Sequence, residues 1–167
     1  LVIHEPYKGV KLTEKGRKIA LNVLRKHRLA ERLLTDILHL DWSDAHDAAC
    51  KLEHAIAPDI IKPLEKTLGH PKTCPHGNPI PTRGGGIIEE KSELLTDLKP
   101  GEGGIIVKIT EEKHDMLHYL ASLGLMPGTP VEIEEKAPFN GPIIVKARGA
   151  SYALGHDVAS VIWVKKS

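Results

Sequence analysis

Aromatic side chains are scarce: two Trp, three Tyr and one Phe make up 4% of the 167 residues. Burial must come from Leu, Ile, Val and Ala, which allows one compact domain or two small ones with modest cores and makes oligomerisation an expected source of further burial. Cysteine is just as sparse. The two present, Cys50 and Cys74, exclude a secreted disulfide scaffold and fit a reducing compartment, with the cytoplasm as the expectation. No apolar run approaches the roughly 18 residues of a membrane-spanning helix, and the first residues lack the basic and apolar regions of a signal peptide, so no membrane partner is expected. An excess of either charge is also missing. The 23 Lys and Arg against 22 Asp and Glu leave +1, which argues neither for nor against a nucleic-acid partner. The chain opens on Leu rather than Met, and it is expected to be a fragment or a processed chain.

Histidine is abundant, at ten residues; it titrates near neutrality and is the commonest metal ligand. Residues 1–13, LVIHEPYKGVKLT, predict a hairpin turning at Pro6-Tyr7-Lys8-Gly9. Thr13 can begin a helix that Ala20, Val23, Leu24, Leu33, Leu34, Ile37 and Leu38 continue to about His39, with an apolar stripe wide enough for an interface as well as a core. Asp41 or Ser43 is placed to cap a second helix to about Ala57, and Pro58 to open a third through Leu68 that Gly69 closes. Residues 69–86, GHPKTCPHGNPIPTRGGG, hold five Gly and four Pro and predict a loop and a domain boundary. From Leu94 the pattern shifts to short β-rich runs, GGIIVKIT, TPVEIEEK, PIIVKARG and VIWVK, with EEKHDMLHYLASLG helical after the first. A small barrel with one inserted helix is predicted.

On the second helix, AHDAACKLEHAI, offsets of 4, 7 and 8 from His46 place Cys50, Glu53 and His54 within an arc of roughly 120°. Thiolate, carboxylate and imidazole together suit Fe²⁺, Mn²⁺, Co²⁺, Ni²⁺ or Zn²⁺ rather than Ca²⁺ or Mg²⁺. The preceding helix carries His27 and Glu31 at i, i+4, and the short DWSD turn can bring them toward His46. Two sites follow, one from His27, Glu31 and His46, the other from Cys50, Glu53 and His54. The plain alternative is a solvated helix face with a Cys at the core edge. In TCPHGNP, Cys74 and His76 flank a proline and are either a chelating pair or incidental loop residues. His114 and His118 also stand at i, i+4, where a solvated face is the simpler reading.

KHRLAERLLTDIL, AHDAACKLEHAI and GNPIP, in this order, resemble the diphtheria toxin repressor family of metal-dependent transcriptional regulators. LGLMPGTPVEI more loosely resembles the SH3-like barrel shared with ferrous-iron transport protein A. The resemblance implies an α+β chain, a mainly α helical dimerisation domain followed by a small β SH3-like barrel. It divides the chain into a remnant of a DNA-binding-domain wing at 1–13, a helical metal-binding and dimerisation domain at 14–70, a Pro/Gly-rich linker at 71–93 and the barrel at 94–167. It begins at the wing, and the family's recognition helix lies outside these residues, so base readout is assigned to none of them.

By the family's pattern, Cys50, Glu53 and His54 match an activating metal site completed by the first DNA-binding helix, and a Cys in the first position resembles the iron-responsive branch. His27, Glu31 and His46 match an ancillary site. Arg28 and Asn78 fall where some members hold an anion, with Cys74 in place of the serine expected beside them. In the streptococcal-type branch a CPH sequence supplies Cys and His ligands, matching Cys74 and His76, and Asp115 is the barrel's expected contribution. The implied protein is an iron-dependent repressor with Fe²⁺ as corepressor and Mn²⁺, Co²⁺, Ni²⁺ or Zn²⁺ as alternatives. It is a homodimer that holds operator DNA through an N-terminal domain, and it is not an enzyme. The residues leave two rivals, a dimeric metal sensor or buffer without a DNA-binding head, and a small metallohydrolase, for which no substrate pocket is marked.

Overall fold

The computed structural model describes residues 1–5 and 9–166. Strand β1 (Val2–Glu5) pairs antiparallel with β2 (Gly9–Leu12); the expected turn at Pro6, Tyr7 and Lys8 lies outside the described residues. Helix α1 (Glu14–Arg32) starts where the Thr13 side chain accepts from the Gly16 N–H at 3.0 Å, satisfying one of the helix's free donors. Its last turn widens into a π-helical stretch, Leu33–Ile37, with the Thr35 hydroxyl 3.1 Å from the Glu31 carbonyl. Such π turns are rare and frequently lie at functional sites.

Helix α2 (Ala45–Leu52) is shorter than the apolar spacing predicts. Pro58 forces Ala57 into extended backbone, ψ 150°, and Lys26 takes the Ile56 carbonyl at 2.7 Å, so residues 53–57 turn away from the helix axis. Helix α3 (Pro58–Thr67) opens on that proline and closes before Gly69, whose φ of 72° suits glycine. Leu29, Ala30, Ala49 and Leu64 of these helices bury one small core together with Ile56, between α2 and α3, and Ile80 of the following loop.

Beyond the loop the chain forms a six-stranded antiparallel sheet in the order β3-β8-β4-β5-β6-β7, so the architecture is α+β, helices followed by an SH3-like barrel. The strands are β3 (Glu93–Leu94), β4 (Gly103–Ile109), β5 (Pro130–Lys136), β6 (Ile143–Ala147), β7 (Ala150–Leu154) and β8 (Ile162–Lys166). Helix α4 (His114–Ser122) follows β4, and a short α5 (His156–Ala159) precedes β8. Ile106, Ile109, Leu117, Leu120, Leu125, Ile133, Val145 and Ile162 fill the barrel, and Trp42 from the helical part packs against this core.

Residues 68–92 have no ladder of their own beyond one bridge between Thr73 and Pro79, so their carbonyls need other donors. Three arginines on one face of α1 supply them. Arg25 donates to the Pro81 carbonyl, Arg28 to that of Pro79, and Arg32 to those of Thr73 at 2.8 Å and Cys74 at 3.2 Å. On its other side the loop is stitched to β4, with Ile109 N–H donating to the His76 carbonyl at 2.8 Å. Gly77 permits this approach: its φ is 87°, and a Cβ there would stand 1.9 Å from the Val107 carbonyl oxygen. Gly77→Ala is therefore expected to lower stability by about 3 kcal/mol, through left-handed backbone strain and a main-chain collision. Thermal unfolding followed by circular dichroism checks this; an unchanged midpoint would contradict the close packing of loop on barrel.

Candidate metal centre

Four parts of the fold meet at one buried group. Helix α1 brings His27 and Glu31, α2 brings His46, the loop brings Cys74 and His76, and Glu112, between β4 and α4, comes from the barrel. Glu31, Cys74 and His76 are fully buried. Glu31 Oε1 lies 3.1 Å from His27 Nε2, 3.4 Å from His46 Nδ1 and 3.4 Å from His76 Nδ1. Glu112 places Oε2 3.3 Å from His46 Nδ1 and Oε1 3.6 Å from His76 Nδ1. Cys74 Sγ is 3.9 Å from His76 Nδ1 and 3.8 Å from Glu112 Oε1.

The loop is fixed for this purpose. His76 donates from Nε2 to the Trp42 carbonyl at 3.0 Å, which turns Nδ1 toward the carboxylates. Trp42 in turn donates to the Pro75 carbonyl at 3.0 Å and meets the His76 ring edge-on. Asn78 donates to the Ile109 carbonyl at 2.8 Å and to Glu112 Oε1 at 2.7 Å, so the same residue holds both the end of β4 and the barrel's carboxylate.

The electrostatics follow from burying acid among imidazoles. Burial by itself would raise Glu31, but hydrogen bonds from His27, His46 and His76 outweigh it and hold the carboxyl well below its ordinary range. Burial would lower His76, yet bonds to Cys74, Glu112 and Glu31 push it up to about 12. Burial raises the Cys74 thiol to about 11. Glu112 is lowered against its burial by His76, and His27 is raised against its burial by Glu31 and Glu53. In the metal-free chain, protons and imidazolium charge thus balance the carboxylates. One buried carboxylate oxygen, Glu31 Oε2, has no hydrogen-bond partner, and a buried acceptor left so is costly. Imidazole, carboxylate and thiol around such an oxygen are a donor set that fits a divalent transition metal.

The structure distributes the expected ligands differently from the sequence spacing. His27, Glu31 and His46 come together, and Cys74 and His76 join the same cluster instead of forming a separate pair. Cys50, Glu53 and His54 do not converge, because α2 has ended at Leu52. Cys50 is exposed with Sγ 3.7 Å from His46 Nε2, and it groups with His27 and His46. Glu53 turns to His27, with Oε2 2.7 Å from Nδ1, and lies 3.2 Å from His54 Nε2. The His54 side chain is 74% exposed. Asp115 is exposed on α4 and outside the cluster; the barrel acid that enters is Glu112, three residues earlier. Asn78 spends its amide donors on Ile109 and Glu112, and Arg28 donates to the Pro79 carbonyl from one Nη while its buried Nε has no partner. His114 pairs with Asp44 at 3.0 Å and stacks on His118.

Glu112 is the ligand candidate that sequence reasoning missed. Its signal was a pair of acids, Glu111 and Glu112, just past the end of β4, the place where a strand end meets the loop.

Known proteins match this architecture along its length. A profile described as iron dependent repressor, metal binding and dimerisation domain matches residues 13–82, and one for the FeoA domain matches residues 94–166. The iron-dependent repressor IdeR of Mycobacterium tuberculosis is 36% identical, over 94% of this chain and 73% of that protein. The diphtheria toxin repressor of Corynebacterium glutamicum is 34% identical, over 99% of this chain and 76% of that protein. Among solved structures, a manganese-dependent transcriptional repressor in complex with manganese superposes with a TM-score of 0.92 at 34% identity, covering all of this chain and 78% of that one.

Proposed function

The chain belongs to the iron dependent repressor family, and from that membership we propose that it is a metal-dependent repressor with Fe²⁺ as corepressor, binding operator DNA as a homodimer. Its relatives are transcriptional repressors, not enzymes. The observation that carries the proposal is the convergence of His27, Glu31, His46, Cys74, His76 and Glu112 from four parts of the fold. A divalent cation held by these residues would supply the positive charge that the carboxylates otherwise draw from protonated imidazoles. The residues themselves do the coupling: Glu31 and His46 belong to the helices, Cys74 and His76 to the loop and Glu112 to the barrel, so filling the site ties all three together. A ligand shared between units favours the arrangement in which they meet, by the difference in its affinity for the two states.

Cys50, Glu53 and His54 are proposed as the chain's share of a second, activating site. Cys50 and His54 are exposed, and a ligand from a DNA-binding helix would complete the set. The softer sulfur donors at Cys50 and Cys74 favour iron over manganese. β1 and β2 are proposed as the wing of the DNA-binding domain, residues 14–70 as the dimerising part, 71–93 as linker and 94–167 as the barrel. Ile37, Leu38 and Ile60, exposed by 44%, 62% and 49%, are proposed to be covered by a second copy. No described helix is long and apolar enough to cross a membrane, and the cytoplasm is the proposed location.

Fe²⁺ added anaerobically, or Mn²⁺, at a thousandfold excess over its dissociation constant is expected to stabilise the chain by about 4 kcal/mol. For a chain of this size that raises the melting temperature by about 10 °C, and a chelator should reverse it. A midpoint indifferent to both cations would defeat the proposal.

A further inference from the structure

The six side chains fall into two overlapping groups of four, His27, Glu31, His46, Glu112 and Glu31, Cys74, His76, Glu112, each with its donor atoms within 4.8 Å of one another. Among the described residues the six do not gather within that distance as one group. The carboxylates belong to both groups: Glu112 turns one oxygen to each, and Glu31 faces both with a single oxygen. Glu112 turns Oε2 to His46 at 3.3 Å and Oε1 to His76 at 3.6 Å and Cys74 at 3.8 Å. Glu31 sets Oε1 between His27, His46 and His76, at 3.1, 3.4 and 3.4 Å, while its buried Oε2 has no partner.

We propose that this centre holds a pair of divalent cations bridged by Glu31 and Glu112, one on the His27 and His46 side and one on the Cys74 and His76 side. The inference rests on the reading of this cluster as a cation site and adds its nuclearity. A carboxylate offering one oxygen to each of two ions is a recurrent feature of paired-metal sites. The two positions differ in softness: two imidazoles on one side, a thiolate and an imidazole on the other, so the second prefers the more thiophilic ion. The barrel's Glu112 is common to both, so its engagement reports the filling of both positions.

Anaerobic Co²⁺ titration tests this in a chain carrying Cys50→Ser, in which Cys74 is the remaining thiol. Adding His27→Ala is expected to remove one equivalent of cobalt and keep the thiolate-to-cobalt absorption. Adding Cys74→Ser is expected to abolish that absorption and keep the equivalent lost in His27→Ala. Loss of the same single equivalent in both variants would overturn the pair while leaving the cation site standing. No cobalt uptake by the parent would overturn both readings. Mn²⁺ loading of the unmutated chain gives a check free of substitutions: an exchange-coupled electron paramagnetic resonance spectrum is expected, and only the hyperfine pattern of isolated ions would refute bridging.

Discussion

Glu31→Gln is expected to weaken divalent-cation binding at the cluster by more than about 100-fold and to destabilise the metal-free chain by roughly 3 kcal/mol. Partners that merely orient a ligand are worth about 10–100-fold in affinity, and Glu31 stands nearer than that, its Oε1 within 3.4 Å of three imidazoles. Gln keeps the shape and one acceptor but removes the charge that holds His76 and His27 protonated. The stability loss has a definite pH dependence. Glu31 titrates below its ordinary range in the folded chain, so its contribution is present above the unfolded carboxyl value of about 4.3 and is lost as pH falls. The gap between parent and variant should therefore be widest near neutrality and close in acid. Calorimetric metal titration and urea unfolding at several pH values measure both effects. Parent-like affinity in Glu31→Gln would remove this carboxylate from the site.

Cation affinity is expected to climb by about 100-fold per pH unit between about pH 6 and pH 8 when binding engages both Cys74 and His76. The sign follows from which groups carry protons. In the metal-free fold the thiol is pushed up to about 11 and the imidazole up to about 12, so both are protonated throughout that window. Each must give up a proton to become a ligand, hydrogen ions therefore compete with the metal, and raising the pH favours loading. About two protons should be released per filled Cys74 and His76 position, measurable by calorimetry in buffers of different ionisation enthalpy. Cys74→Ser should halve the release and reduce the slope to about tenfold per unit. An affinity flat in pH would mean that these two side chains are spectators.

What could be read in the sequence was local. Thr13, Pro58 and Gly69 act on their immediate neighbours through capping, a fixed φ and a left-handed turn, and the helix ends they predict for α1 and α3 lie close to those found. The His27 and Glu31 pair also declared itself, because four residues along a helix is a contact distance. The spacing rule that placed Cys50, Glu53 and His54 on one face assumed a helix to about Ala57. Pro58 and the Lys26 bond to the Ile56 carbonyl end it at Leu52 and send Glu53 to His27. Glu112 was hidden for another reason: its partners His76 and Asn78 are more than thirty residues away, and they meet it because Gly77 lets the loop lie on β4. Strand β7, ASYAL, gave no signal because most of its side chains are exposed and small.

The most direct measurement is an anomalous difference map from crystals of this chain loaded anaerobically with Fe²⁺ and collected at the iron edge. The account predicts density against Glu31 and Glu112, beside His27 and His46, beside Cys74 and His76, or at both, where helix, loop and barrel side chains meet. A map with no peak there, or with iron bound only at exposed residues elsewhere, would contradict it.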